Sequence, residues 1–351
     1  MVDLGHSGGK RRRRSVTAAT KRQCLAKLRE LQADMSRGVI TGSSSVSEWL
    51  TYWLDEIASE TVRPTTLRGY RQKVGQWIEP ELGRHRLDRL SPEHIRALHR
   101  SMERAGAADG TRRTVHAILR RALVVAEREG RVSRNVAALV EAPPSGHRTH
   151  GRLSTDDARR VMQTLVEGWG PPEHPAWRGS RYAAAILAGL RQGEALGLRW
   201  GDVDMVSGLI VVRRSVAVVA GQIIEGPPKS ARGMRVVPIG RSLADMLERD
   251  VRGDDEDLVW PGRDGRPMSG RHDWGGWKRL LADAGVVSVP LHAARATAAS
   301  LMMEAGQPDV VIAEILGHAA VQVTQDHYLH ADDRMRRSAV SALEDLLGMT
   351  R

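Results

Sequence analysis

The stretch 181-RYAAAILAGLRQGEAL-196, followed by 209-LIVVRRSVAVVAGQIIEGPPKSARGMRVVPI-239, decides the fold class of the C-terminal half of this chain. An apolar helical run from Arg181 to Ala188 stops at Gly189-Leu190-Arg191, and a second helix begins at once. The period then shortens to two. β-Branched runs at Leu209 to Val219, Gln222 to Glu225 and Arg235 to Ile239 are separated by a turn at Gly221 and a longer one from Pro227 to Gly233. From Arg241 the pattern is mainly helical again, with a short extended run at Leu258 to Trp260. Ser154 or Thr155 caps the first helix of this region, whose first turn carries Asp156 and Asp157, where carboxylates suit the positive dipole end. The expectation is an α+β domain over residues 148–351, mainly helical with a small antiparallel sheet on one side.

Upstream, Pro143-Pro144-Ser145-Gly146 marks a joint, and residues 45–142 before it are expected to be all-helical. Ser45 with Glu48 forms a capping-box signature, and Val46, Trp49, Leu50, Trp53, Leu54 and Ile57 make one apolar stripe. A second helix from Thr65 to Ile78 turns Leu67, Tyr70, Val74 and Trp77 inward. Ser91-Pro92-Glu93 opens a third, and a fourth runs from Thr111 to Glu129 before Gly130. The Trp and Tyr residues sit at helical spacing and read as core, not as platforms for stacked bases. The outer faces carry Arg68, Arg71, Arg112, Arg113, Arg120 and Arg121, candidates for DNA binding. Residues 1–42 hold a Gly-rich start, a basic block of Lys10, Arg11, Arg12, Arg13 and Arg14, and a short helical pattern from Thr20 to Ser36. The basic block reads either as a solvated tail or as a further DNA contact.

Composition narrows the partner. The 351 residues suit two domains, and 41% hydrophobic with 27% charged residues is the balance of a folded globular chain. No apolar run approaches a membrane span, and no apolar stretch follows the basic N-terminus as in a signal peptide. Cys24 is the one cysteine, which excludes an internal disulfide and a multi-cysteine zinc site; a cytoplasmic protein is expected. Lys and Arg total 53 against 42 acids, for a net charge of +11 and a pI near 10.5. Such a surplus favours a polyanion, most commonly nucleic acid. Only six of the 53 are lysines, a bias that a GC-rich genome explains as well as phosphate binding does, and one that makes Lys229 conspicuous.

No Walker-type loop, no GxGxxG after a strand and no HExxH is present. His318, His327 and His330 lie close together without a ligand pattern around them, so neither metal nor other cofactor is expected. Chemistry on DNA without these falls to covalent attack by a side chain. Five places carry suitable residues: Arg191 between two helices, Lys229 in the longer turn, His292 and Arg295 on one helical face, His318 after Gly317, and Tyr328.

As an ordered set these residues resemble the catalytic signature of the tyrosine recombinases, and specifically of phage-type integrases from actinobacterial phages or integrative elements. The likeness extends through Trp77 to Leu90, with Glu79-Pro80-Glu81-Leu82-Gly83, and through Asp156 to Leu347. It implies a core-binding domain over 45–142 and a catalytic domain over 148–351. It also implies Tyr328 as nucleophile, Arg191, Arg295 and His318 on the phosphate, His292 assisting the phenol, and Lys229 protonating the leaving 5′ oxygen. A 3′-phosphotyrosyl intermediate would conserve bond energy, so no ATP site is needed. The partners implied are double-stranded attachment-site DNA and further copies of the chain in a tetrameric synapse, with a host DNA-bending protein and an excision factor as accessories. No membrane partner is implied. Two departures stand out. Ala293, Ala294 and Ala296 replace the Asp-Leu and bulky residues usual around His-x-x-Arg, and residues 1–42 are expected to keep only the last basic strand and the helix of an arm-binding domain. Resolution, strand swivelling by the same tyrosine chemistry, and DNA binding without catalysis remain alternatives to integration. Val340, Leu343, Leu346 and Leu347 form an apolar face on the terminal helix, expected to dock on a neighbouring subunit.

Overall fold

A computed structural model describes residues 2–7, 10–14, 20–25, 44–144, 151–317 apart from 172, 175, 220, 229–232 and 251, and 333–349. The chain divides into two units, Met1–Arg148 and Thr149–Arg351.

The first unit is built on the Ser45 cap. The Ser45 side chain accepts from the Glu48 backbone and Glu48 returns a bond to the Ser45 backbone, opening α1 (Val46–Tyr52). That helix runs on through a π-helical turn at Trp53–Ala58. α2 (Pro64–Lys73) continues through a second such turn, Val74–Ile78, and α3 (Pro92–Arg104) and α4 (Asp109–Arg128) complete the bundle. The expected stripe is the core: Val46, Trp49, Leu50, Trp53 and Leu54 are buried, and Ile57 packs against them part-buried. Trp49 donates its indole N–H to the Ala122 carbonyl at 3.2 Å, satisfying the polar end of a buried ring. Tyr52 departs from the reading of the aromatics as core. It lies on the far side of α1 and is 43% exposed.

The N-terminal segment departs too. Val2–Ser7 (β1) pairs antiparallel with Lys10–Arg14 (β2), Val2 opposite Arg14 and Ser7 opposite Lys10, where only the second strand was expected. The alternation of Val2, Leu4 and His6 is a strand signal hidden by the glycines around it. Residues 21–25 are helical, and the rest of the expected helix to Ser36 lies outside the described residues.

The second unit begins with α5 (Thr155–Val166), capped by Ser154, and α6 (Gly179–Leu187), which is buried from Ser180 to Leu187. α7 (Gln192–Leu196) follows within five residues. The strands are α+β in the expected sense but divide differently. β3 (Val203–Asp204), β4 (Leu209–Val212) and β7 (Arg235–Pro238) form one antiparallel sheet in the order β3-β4-β7, while β5 (Ser215–Val219) and β6 (Gln222–Gly226) form a separate hairpin. The run Leu209 to Val219 is therefore two strands, broken at Arg213-Arg214. Asp202, 3% exposed, draws both arginines to itself, Arg214 Nη1 at 2.5 Å and Arg213 Nε at 3.8 Å. Satisfying a buried carboxylate outweighs two more residues of ladder. The turn from Pro227 to Gly233 accordingly joins two sheets and does not close a hairpin.

α8 (Arg241–Glu248), α9 (Gly270–Asp283), α10 (Leu291–Glu304), α11 (Asp309–Leu316) and α12 (Asp333–Leu346) surround the sheet. In this chain α12 packs on its own unit, where docking on another subunit was expected. Ala339, Val340, Leu343 and Leu347 are buried in the core of their own unit, with Leu346 part-buried against it. Glu344 on the same face, 3% exposed, accepts from the Ser242 backbone N–H at 3.0 Å and so caps the first turn of α8. A short helix with a full apolar stripe and a buried carboxylate finds both partners within its own unit. Among the described residues no helix is long and apolar enough to cross a membrane.

Candidate active site

The site grows from the end of α11. Gly317, at φ +63°, closes that helix, leaving the carbonyls of Ile315, Leu316 and Gly317 without helical partners. Three arginines take them in order. Arg235 donates Nε to Ile315 at 2.7 Å, Arg295 donates Nη2 to Leu316, and Arg191 donates Nη2 to Gly317 at 3.0 Å. The negative end of a helix dipole favours this cationic cap.

Each arginine comes from a different element. Arg191 precedes α7 in extended conformation, Arg235 opens β7, and Arg295 sits in the second turn of α10. Gly189 makes the convergence of the first and third possible. It lies at φ +59°, its carbonyl accepts from Arg295 Nη1 at 2.6 Å, and a Cβ there would run into Leu316 Cδ2. Only glycine meets both demands.

One carboxylate serves all this charge. Glu194, 3% exposed, accepts Arg235 in bidentate fashion at 3.1 and 3.0 Å and Arg191 Nη1 at 2.6 Å, and Arg191 donates its backbone N–H to it at 3.0 Å. Burial works to raise the Glu194 carboxyl, yet the bonds and charge of Arg235, with the bonds of Arg191, hold it below the ordinary carboxylate value. Among the described residues Arg295 has no such carboxylate bond. It is 4% exposed, and burial, then the charges of Arg191 and Arg235, push it well below the ordinary arginine value, with Glu194 opposing only in part. Three guanidiniums around one carboxylate leave an excess of buried positive charge. Such an arrangement is suited to an oxyanion.

A second buried pair steadies the loop. Arg181 and Asp273 are fully buried and meet at 2.8 Å, and Gln192, next to Arg191, donates to Asp273 Oδ2 at 3.0 Å and to the Gly270 carbonyl at 2.9 Å. Tyr182 is 0% exposed and donates its hydroxyl to the Asp273 carbonyl at 3.0 Å; burial, then the Asp273 charge, push its phenol far above the ordinary value. It cannot serve as an attacking phenolate. Among the described residues no cluster of three or more His, Cys, Asp or Glu is placed to hold a metal ion.

Of the sequence candidates, Arg191 and Arg295 are brought together on adjacent carbonyls. His292 lies one turn before Arg295 on α10 and is exposed. Lys229, His318 and Tyr328 lie outside the described residues. Ala293 and Ala294 are buried at 1% and 0%, and Ala296 is exposed. Glu194 and Arg235 were missed. The one signal for Glu194 was its place three residues after Arg191, and Arg235 had none beyond opening a strand.

In the first unit Arg68, Arg113, Arg120 and Arg121 are exposed. Arg113 reaches the Pro143 carbonyl at 3.0 Å, and Arg71 pairs with Asp55 at 2.8 Å. Arg112 differs from these. Its side chain is 12% exposed and is held by Asp109 at 2.5 Å and Glu103 at 3.1 Å, so its charge is used within the bundle. Side chains of Lys10, Arg11, Arg12, Arg13 and Arg14 lie outside the described residues.

Comparison with known proteins supplies the frame. The phage integrase family matches residues 151–335, and the phage integrase N-terminal SAM-like domain matches residues 45–102. An integrase of Saccharopolyspora erythraea is 26% identical over 404 aligned positions, covering 95% of this chain and 90% of the relative. The Tn1549 transposon integrase in complex with a circular intermediate DNA shares the fold at a TM-score of 0.68 and 18% identity, covering 86% of this chain and all of that one. A lambda integrase tetramer bound to a Holliday junction does so at 0.61 and 19%, covering 91% and 93%. The chain belongs to the phage integrase family and is a tyrosine recombinase, an enzyme of site-specific DNA recombination.

Proposed function

We propose that this recombinase integrates the DNA of a phage or mobile element into a host chromosome, cutting and rejoining attachment sites through a 3′-phosphotyrosyl intermediate. The observation that carries the reading is the convergence of Arg191, Arg235 and Arg295 around one carboxylate at the end of α11, with Arg295 4% exposed. A phosphodiester is an anion suited to that cluster, and its transition state spreads further charge over the two non-bridging oxygens. Arg191 and Arg295 clamp those oxygens, with His318 as a further donor. Tyr328 attacks phosphorus, its proton leaving with help from His292. The 5′ oxygen departs with a proton from Lys229, and the 5′ hydroxyl of a second strand later attacks to restore a phosphodiester and free the tyrosine.

The tyrosine inventory supports the nucleophile. The chain has four; Tyr52 and Tyr70 belong to the first unit, Tyr182 is sealed in the core, and Tyr328 remains. Residues 45–142 serve as the core-type DNA-binding domain, with Arg68, Arg71, Arg113, Arg120 and Arg121 toward phosphate and Arg112 left out of that set. Residues 148–351 form the catalytic domain. Residues 1–42, with the paired strands β1 and β2, contribute to arm-type DNA binding. Assembly on DNA is tetrameric, as in the lambda integrase tetramer on a Holliday junction, and takes place in the cytoplasm of the bacterial host at the nucleoid, with a host DNA-bending protein and an excision factor as accessories.

Trapping on a nicked suicide substrate tests the clamp. Arg191→Ala and Arg295→Ala should each slow adduct formation by about 10²–10³-fold, the usual loss for a transition-state donor. Native rates in both would remove the clamp assignment. Host cells carrying the element's site and the chromosomal site should yield recombinant junctions. Relaxation of supercoils without junctions would favour the strand-swivelling alternative.

A further inference from the structure

Glu194 and the Gly317 carbonyl hold the tip of the Arg191 side chain. Its root is held separately. Gln192, the next residue, donates Nε2 to two acceptors on α9, the Gly270 carbonyl at 2.9 Å and Asp273 Oδ2 at 3.0 Å. Gln192 opens α7, which is five residues long and too short to keep its place unaided. Where the Arg191 guanidinium lies therefore depends on what its backbone is fastened to.

The fastening is a fixed oxygen. Asp273 and Arg181 are both fully buried, and Asp273 Oδ2 accepts from Arg181 Nη2 at 2.8 Å as well as from Gln192. Among the described residues Asp273 Oδ1 and Arg181 Nε and Nη1 have no hydrogen-bond partner. A buried ion pair with bonds unmade adds little net stability, because desolvation offsets the attraction. What this pair does supply is a carboxylate oxygen set between two donors. The Arg181 guanidinium is itself packed 5.6 Å from the Tyr182 ring centre and 5.9 Å from that of Trp260. Arg181 lies on α6, the helix that leads into Arg191, so the chain before Arg191 and the chain after it meet on one atom. One residue further on, α7 presses against β5. A Cβ on Gly193 would come within 2.8 Å of the Val216 carbonyl oxygen, an approach that glycine permits.

We infer that Gln192 is a positioning residue, which ties the root of Arg191 to Asp273 and Gly270 and so sets its guanidinium where the transition state's non-bridging oxygen forms. This role rests on the proposed reading of Arg191 as a phosphate clamp. Gln192 touches no reacting atom in it and acts through its neighbour. A guanidinium displaced by about 1 Å costs on the order of 10²-fold in rate. Its charge still attracts the duplex, so DNA affinity is spared.

The test measures adduct formation by the full chain, at saturating protein, on nicked suicide DNA, with gel-shift affinity beside it. Gln192→Met, similar in length but without a donor, should slow adduct formation about 10- to 100-fold and leave affinity within about twofold of native. Gln192→Lys, which restores a donor toward Asp273 and Gly270, should return the rate to within about threefold of native. The effect should vanish where Arg191 is already gone. Added to Arg191→Ala, Gln192→Met should slow the reaction by less than about twofold, since residues that act as a unit are not additive. A native rate for Gln192→Met, a Gln192→Lys as slow as Gln192→Met, or a full further defect in the double variant would each overturn the inference while Arg191→Ala stays slow. Arg191→Ala at the native rate would instead refute the clamp, and the inference with it. Should thermal melting show Gln192→Met unfolded, Gln192→Glu, which sets an acceptor where the donor stood, is read in the same way.

Discussion

Tyr328→Phe should abolish the covalent protein–DNA adduct while leaving affinity for core-site DNA within about twofold of native. The substitution removes one oxygen, and that oxygen is the atom that bonds phosphorus, so no partial activity through the same route remains. DNA affinity arises from cationic side chains along the duplex and falls with salt, a property the missing hydroxyl does not enter. Gel-shift titration at fixed salt measures the second quantity, and denaturing electrophoresis after suicide trapping measures the first. Tyr182 offers no substitute. Its hydroxyl is committed to the Asp273 carbonyl at 0% exposure, and burial opposes the phenolate that attack would require. Persistent adducts in the Phe variant would refute the assignment.

Leu343→Asp should unfold the second unit. Leu343 is 0% exposed in a core shared with Ile210, Val237 and Leu243. Losing that burial costs about 1.5–3 kcal/mol, and an unpaired carboxylate in the same space adds several more, against a net stability of roughly 5–15 kcal/mol for a whole domain. The nearest carboxylate on α12, Glu344, already occupies the first turn of α8, so the new charge finds no cap to share. Circular dichroism melts of the full chain should show the second unit's transition lost or lowered by well over 10 °C, with Leu343→Met near native. A Leu343→Asp chain that melts like native yet fails only in synapsis would restore docking of α12 on a neighbouring subunit.

Much of this was legible in the sequence, and the reasons differ by element. The bundle of the first unit was readable because one capping box and one stripe at period 3.6 speak for themselves: Ser45, Glu48, Val46, Trp49, Leu50 and Trp53 all behave as local rules require. Arg191 and Arg295 were readable as a pair through the resemblance of the ordered residue set to the tyrosine recombinases, whose phosphate chemistry uses two guanidiniums. The division of the strands was not, since Leu209 to Val219 is one β-branched run and the break comes from Asp202, a carboxylate seven residues before that run begins. Arg235 and Glu194 were hidden for a related reason. In a chain with 47 arginines no single one stands out, and only the convergence of β7, α7 and α11 shows which guanidinium faces which carbonyl. The packing of α12 on its own unit was not legible because an apolar face states that it must be covered but not by what. Glu344 decided the matter, since a buried carboxylate needs a specific donor and the α8 terminus provides it.

The most direct test of the account is the site of the covalent link itself. The native chain is trapped on nicked attachment-site DNA, digested with trypsin, and the DNA-bearing peptide is identified by mass. Cleavage after Arg295 and Arg334 gives the peptide of residues 296–334, in which Tyr328 is the one tyrosine, whereas Tyr182 falls in the peptide of residues 182–191. The account requires the DNA on 296–334, linked through Tyr328. A link on 182–191, on any other peptide, or no link at all on a substrate that the protein cleaves would contradict it.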